Sequence, residues 1–128
     1  MSAQYSVEAD PARSLVRIRM AGFFSPEDIA GFIEARRAAH AELTCGRNRH
    51  VTINDLRGMK IQSQEIVDAF RAMLADPDYR SRRLAFVVSP TLARTQLMRA
   101  LANRDARCFG DPWKAEVWLL GLGAARAA

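Results

Sequence analysis

The sequence predicts an α/β domain with a mixed, mainly parallel sheet and the element order ββαβαβαβα. Three observations carry this. Strand-like apolar runs alternate with stretches of helical periodicity, which implies crossover connections and parallel strands. Leu84-Ala-Phe-Val-Val88 is apolar without a break, as suits a central strand covered on both faces. The first two strand-like runs instead follow each other across a short polar turn, which makes an antiparallel pair. At 128 residues the chain forms one domain, with its core over about 4–122.

The elements follow in order. Gln4-Tyr-Ser-Val-Glu8 is the first strand, and Asp10-Pro11-Ala12-Arg13 the turn. Leu15–Met20 is the second strand, with Val16, Ile18 and Met20 on one apolar face. Gly22 ends it. Ser25-Pro26-Glu27-Asp28 starts a helix: Ser25 caps, Pro26 suits the first helical position, and the two acids meet the positive end of the dipole. Ile29, Phe32, Ile33, Arg36 and His40 share a face, so this helix runs to about Leu43. His50–Asp55 is the third strand, and Gly58-Met-Lys-Ile61 a loop. Ser63 opens the second helix, with Ile66, Phe70, Met73 and Leu74 on one face. The central strand Leu84–Val88 leads through Ser89-Pro90 into a third helix, with Ala93, Leu97, Ala100 and Leu101 inward. Ala106–Phe109 is the last strand, and Asp111-Pro112-Trp113 caps a fourth helix. Trp118 on that helix is expected in the core, and Trp113 at the cap.

Composition bounds the function. The hydrophobic share of 49% and charged share of 26% are ordinary for a soluble globular protein. The first ten residues lack a basic segment followed by an apolar one, so no secretory signal is expected. No apolar run approaches the ~20 residues that span a bilayer. Cys45 and Cys108 are far apart and have no metal-ligand spacing, which fits a reducing cytoplasm. The net charge of +5 is uneven: residues 80–107 carry seven arginines against Asp105 alone. Arginine outnumbers lysine 17 to 2, which reflects either planar anion recognition or coding bias.

With these elements placed, the chain resembles the STAS family, the anti-sigma-factor-antagonist fold, and more closely its SpoIIAA-like branch. The resemblance covers about residues 4–122. It rests on the strand pair followed by Gly22 and Ser25-Pro-Glu-Asp28, and on the strand ending Asn54-Asp55-Leu56. It continues in the strand and helix from Leu84 to Leu101 and in Cys108-Phe-Gly-Asp-Pro-Trp-Lys-Ala-Glu-Val-Trp-Leu119. It implies a non-catalytic, cytoplasmic binding module of bacterial regulation, whose members bind a partner kinase and are switched by phosphorylation of a Ser or Thr. That acceptor opens the helix after an Asp-Leu strand end. Here Asp55-Leu56 matches the pair, and Ser63 is the nearest hydroxyl. The acid before the acceptor and the glycine after it are absent from Ile61-Gln62-Ser63-Gln64-Glu65.

The candidate site is the polar cluster at the carboxyl end of the third strand, where open α/β sheets place their sites. Asn54, Asp55, Arg57 and Ser63 are its partner- or ligand-binding candidates. Asn54 also suits a turn, and Asp55 an ion pair with Arg57. A phosphate on Ser63 would meet free N–H groups and the helix dipole, but a plain N-cap also explains a serine there and is the favoured reading. Arg80, Arg82, Arg83, Arg94 and Arg99 form a candidate anion patch, or a solvated basic surface. Interleaved aromatics for base stacking are missing, which argues against nucleic acid. His40 and His50 are the only histidines, no second His, Cys or acid stands at ligand spacing, and no catalytic constellation is visible.

The sequence therefore predicts a regulatory, protein-binding module without cofactor or metal, with an unnamed protein partner and room for a homodimer. An alternative is a carrier of a small apolar or amphipathic ligand, lined by the Phe, Met and Leu residues of the first two helices.

Overall fold

In the computed structural model, residues 2–89 and 105–121 are described. Five strands form one sheet in sequence order: β1 (Gln4–Asp10), β2 (Leu15–Gly22), β3 (Val51–Met59), β4 (Arg83–Val87) and β5 (Ala106–Phe109). β1 and β2 are antiparallel, and every later pair is parallel. A one-turn 3-10 helix over Pro11–Arg13 makes the first connection, and Ser14 closes it in the left-handed region. Among the described residues three α-helices accompany the sheet: α1 (Pro26–Ala41), α2 (Gln64–Leu74) and α3 (Pro112–Leu120). The helix expected after Ser89-Pro90 lies outside the described residues.

Helix starts follow the local chemistry. At α1, Ser25 Oγ accepts from the Asp28 amide and the Asp28 carboxylate accepts from the Ser25 amide, a complete capping box. At α3, Asp111 accepts from the Trp113 amide.

The alternation of each strand divides the core into two layers. On one face Leu15, Val51, Ile53, Ala85 and Val87 pack under Ala115 and Leu119 of α3. On the other, Val16, Ile18 and Met20 pack with Phe24, Ile29, Phe32 and Ile66 under α1 and α2. Leu84, Phe86 and Cys108 continue this second layer. β4 is thus buried on both faces, as its unbroken apolar run requires.

Strand boundaries differ from the sequence expectation: β1 continues past Glu8 to Asp10. β2 extends beyond Met20 to Gly22. β3 does not stop at Asp55 but continues through Arg57, Gly58 and Met59, so Gly58-Met59 is strand rather than loop. The pairing explains the extension: Arg19 faces Asp55, whereas Ala21 faces Gly58. β3 spends one residue more than β2 over this step, which is a β-bulge, and pairing resumes beyond it.

Candidate functional site

The bulge places a hydrogen-bonded clip at the carboxyl edge of the parallel strands. Gly22 has φ of 81°, and a Cβ there would lie 2.4 Å from the Ser2 carbonyl oxygen, so only glycine fits this turn. At Gly58 a Cβ would come within 2.8 Å of Ala21 Cβ, so the close approach of β2 and β3 also demands glycine. The carboxamide of Gln62 then ties the loop after β2 to the loop after β3. Its Oε1 accepts from the Phe24 amide at 2.9 Å. Its Nε2 donates to the Gly22 carbonyl at 2.8 Å and the Lys60 carbonyl at 2.6 Å. The Lys60 amide donates to the Gly22 carbonyl at 3.3 Å.

Two large apolar side chains stand in solvent on the clipped loops: Ile61 is 90% exposed and Phe23 51% exposed. Phe24, next to Phe23, is buried, as is Ile66 in the first turn of α2. An apolar pair held outward by a satisfied hydrogen-bond network has the character of a contact surface. Gln62, Phe23 and Ile61 are not among the individual site residues that the sequence points to. The available signal was an isolated isoleucine between Lys60 and Gln62-Ser-Gln64, where no apolar periodicity accounts for it.

Asp55 and Arg57 form a second feature of the same edge. The Asp55 carboxylate accepts from Arg57 Nε at 3.0 Å, from Nη2 at 2.8 Å and from the Arg57 amide at 3.2 Å. The guanidinium hydrogen bonds hold the Asp55 carboxyl below the usual carboxylate range despite partial burial, and the carboxylate raises Arg57 in turn. Asn54 is placed differently. Its side chain is buried within the sheet and Nδ2 donates to the Ala85 carbonyl at 3.4 Å, so it is internal structure rather than contact surface. Ser63 is exposed and caps α2, its Oγ accepting from the Ile66 amide at 3.4 Å. Glu65 already occupies the first turn of that helix.

The arginine stretch divides. Arg83 is committed to packing: Nε donates to Asp105 at 3.0 Å and Nη1 to the Trp118 carbonyl at 3.2 Å. Its guanidinium also lies 4.8 Å from the centroid of the Trp118 ring. Arg80 and Arg82 are exposed beside the amino end of β4. Arg94 and Arg99 lie outside the described residues. Arg80 and Arg82 thus sit at the opposite end of the parallel strands from Ile61.

At that amino end the fold joins two histidines that lie ten residues apart. His40 Nε2 is 3.1 Å from His50 Nε2, and His40 Nδ1 is 2.7 Å from the Arg36 carbonyl. Ser81 Oγ lies 3.2 Å from His50 Nε2 and 2.6 Å from Thr52 Oγ1. Burial is the main cause that lowers both imidazoles, His50 to about 4, and the neighbouring Arg36 guanidinium adds to it. No group of three or more His, Cys, Asp or Glu able to hold a metal occurs among the described residues.

The side chains that would line an apolar ligand pocket pack against one another. Phe24 and Phe32 meet Phe70 edge to face at 5.6 and 6.1 Å, and Tyr5 meets Phe32 at 5.6 Å. Two shallow clefts, of about 180 and 110 Å³, have charged rims instead. Trp118 packs against Phe109 beside the α3 layer, whereas Trp113 is 61% exposed. No helix among the described residues is long and apolar enough to cross a membrane.

Among the described residues, a five-stranded mixed sheet with an antiparallel first pair, two helices on one face and one on the other, defines an α/β protein of SpoIIAA-like fold. Among solved structures the chain is similar to an uncharacterised protein of the DUF3478 family with a SpoIIAA-like fold from Shewanella loihica PV-4. The TM-score is 0.72 at 15% identity, over 92% of this chain and 93% of that one. At that identity the likeness concerns the fold. No family model and no curated protein matches the sequence.

Proposed function

We propose that this protein is a non-catalytic, protein-binding module of STAS type acting in a bacterial cytoplasm, and that its partner docks on the carboxyl edge of the sheet. The observation that carries this reading is the Gln62 clip with Ile61 and Phe23 held in solvent. Burying Ile61 would contribute roughly 1.5–3 kcal/mol and half-exposed Phe23 about half as much, enough to anchor a modest interface. The Asp55–Arg57 pair supplies a charged rim beside them. Ser63 stands on the same connection, so a phosphate there would put negative charge at the margin of the contact.

The test is site-specific photo-crosslinking in cells of the source organism, from position 61 and, as a control, from exposed Glu42 at the far end of α1. One defined protein adduct from position 61, absent at position 42 and lost in Phe23→Asp, is the expected result. Equal adducts from both positions, or none from position 61, would overturn the reading.

A further inference from the structure

We infer that β1 is a pairing edge for a second copy of this chain, giving a two-fold dimer with a continuous ten-stranded sheet. β1 is the outermost strand, and its backbone pairs with β2 alone among the described residues. It is seven residues long, contains no proline or lysine, and runs against β2 without a register shift. Proline, lysine and a bulge, three of the devices that blunt an edge, are therefore absent from β1, and its outward N–H and C=O groups are a template for another strand.

The sequence of β1 selects a copy of itself as the occupant. In a two-fold antiparallel pair, opposed residues point to the same face, so the axis passes through a residue. Centring on Val7 overlaps all seven residues. It continues the apolar row on the helix-covered face, with Val7 against Val7 and Tyr5, 38% exposed in the single chain, against Ala9. On the open face it sets Glu8 opposite Ser6. Centring on Glu8 would oppose two carboxylates, and centring on Ser6 would leave the end of the strand unpaired.

Above the strand, α1 closes over Tyr5 of the same chain. The Tyr5 hydroxyl lies over Gly31, where a Cβ would be only 2.5 Å from it. Ala35 and Ala38 follow Gly31 on the same side of the helix at i+4 and i+7. Small side chains let two α1 helices approach to the ~8–10 Å of ordinary helix packing over the joined edge.

The discriminating variant is Ser6→Glu. Within one chain Ser6 is exposed and pairs across from Arg19, so a glutamate there is tolerated or favourable for folding. In the dimer the same glutamate faces Glu8 of the second copy, twice over. Sedimentation equilibrium of the full chain is expected to show a dimer in wild type. The dimer of Ser6→Glu is expected to be about tenfold weaker with its thermal unfolding undiminished, and that of Ser6→Lys tighter. A wild type that stays monomeric at the highest soluble concentration would overturn the proposal. A dimer indifferent to both substitutions would place the interface elsewhere and overturn it equally. The crosslink from position 61 reports on a different surface, so the two proposals fail separately.

Discussion

His40 Nε2 and His50 Nε2 face each other at 3.1 Å, within hydrogen-bond distance. The Arg36 carbonyl accepts from His40 Nδ1–H, which leaves His40 Nε2 bare in the neutral ring. His50 must then donate from its Nε2–H. A further proton would sit beside the Arg36 guanidinium, on buried His50 or half-buried His40. The folded state therefore holds both rings neutral to a lower pH than the unfolded chain does. The stability this confers is fully present above pH ~6.5, where the unfolded histidines are neutral, and is lost as pH falls from there to about 4. Urea unfolding as a function of pH is expected to show a decline of about 2 kcal/mol over that window. His50→Gln should be less stable at neutral pH and should flatten the decline. A variant that retains the full wild-type decline would contradict the assignment.

Gln62→Ala should unclip the carboxyl edge. It leaves the Phe24 amide and the Gly22 carbonyl without their side-chain partner. Because other bonds retain part of the loop, such as Lys60 N–H to Gly22 O, the expected loss is about 1–2 kcal/mol. Amide hydrogen exchange should accelerate at Phe24 and Lys60 and not at Ile18 or Phe86. Uniform acceleration, or none, would show that Gln62 does not hold the two loops together.

Arg83 and Arg82 are neighbours with opposite roles. Arg83→Ala removes an ion pair, a bond to the Trp118 carbonyl and a cation–π contact, and should cost about 1–2 kcal/mol while changing Trp118 fluorescence. Arg82→Ala, at an exposed side chain, should fall within about 0.5 kcal/mol of wild type. Equal effects in thermal denaturation would mean that Arg83 is not packed as described.

Ser63→Ala deletes the cap of α2 and should lower stability by about 0.5–1 kcal/mol, because its bond to the Ile66 amide is long. Ser63→Asp restores an acceptor and adds charge at the helix start, so its stability should return to near wild type. If the module is switched at this position, the aspartate variant should still alter the crosslink from position 61. An unaltered crosslink would restrict Ser63 to capping.

Periodicity and capping chemistry determined by themselves that this chain is an α/β protein with an antiparallel first pair and a mainly parallel sheet. Ser25-Pro26-Glu27-Asp28 carries its helix start within four residues, and Leu84–Val87 declares its double burial by composition. These are local signals, and local sequence holds them. The extent of β3 was not legible, because Asn54, Asp55 and Gly58 read as turn formers until pairing with β2 absorbs them across a bulge. Nor was the fate of Asn54 legible, since whether a polar side chain points into a sheet or out of it depends on what packs above. Only tertiary structure brought His40 to His50, Arg83 to Trp118 and Gln62 to Gly22 and Phe24. These partners are separated by ten to forty residues, and their meeting depends on where helices and strands end against one another, which no pattern within a single element encodes.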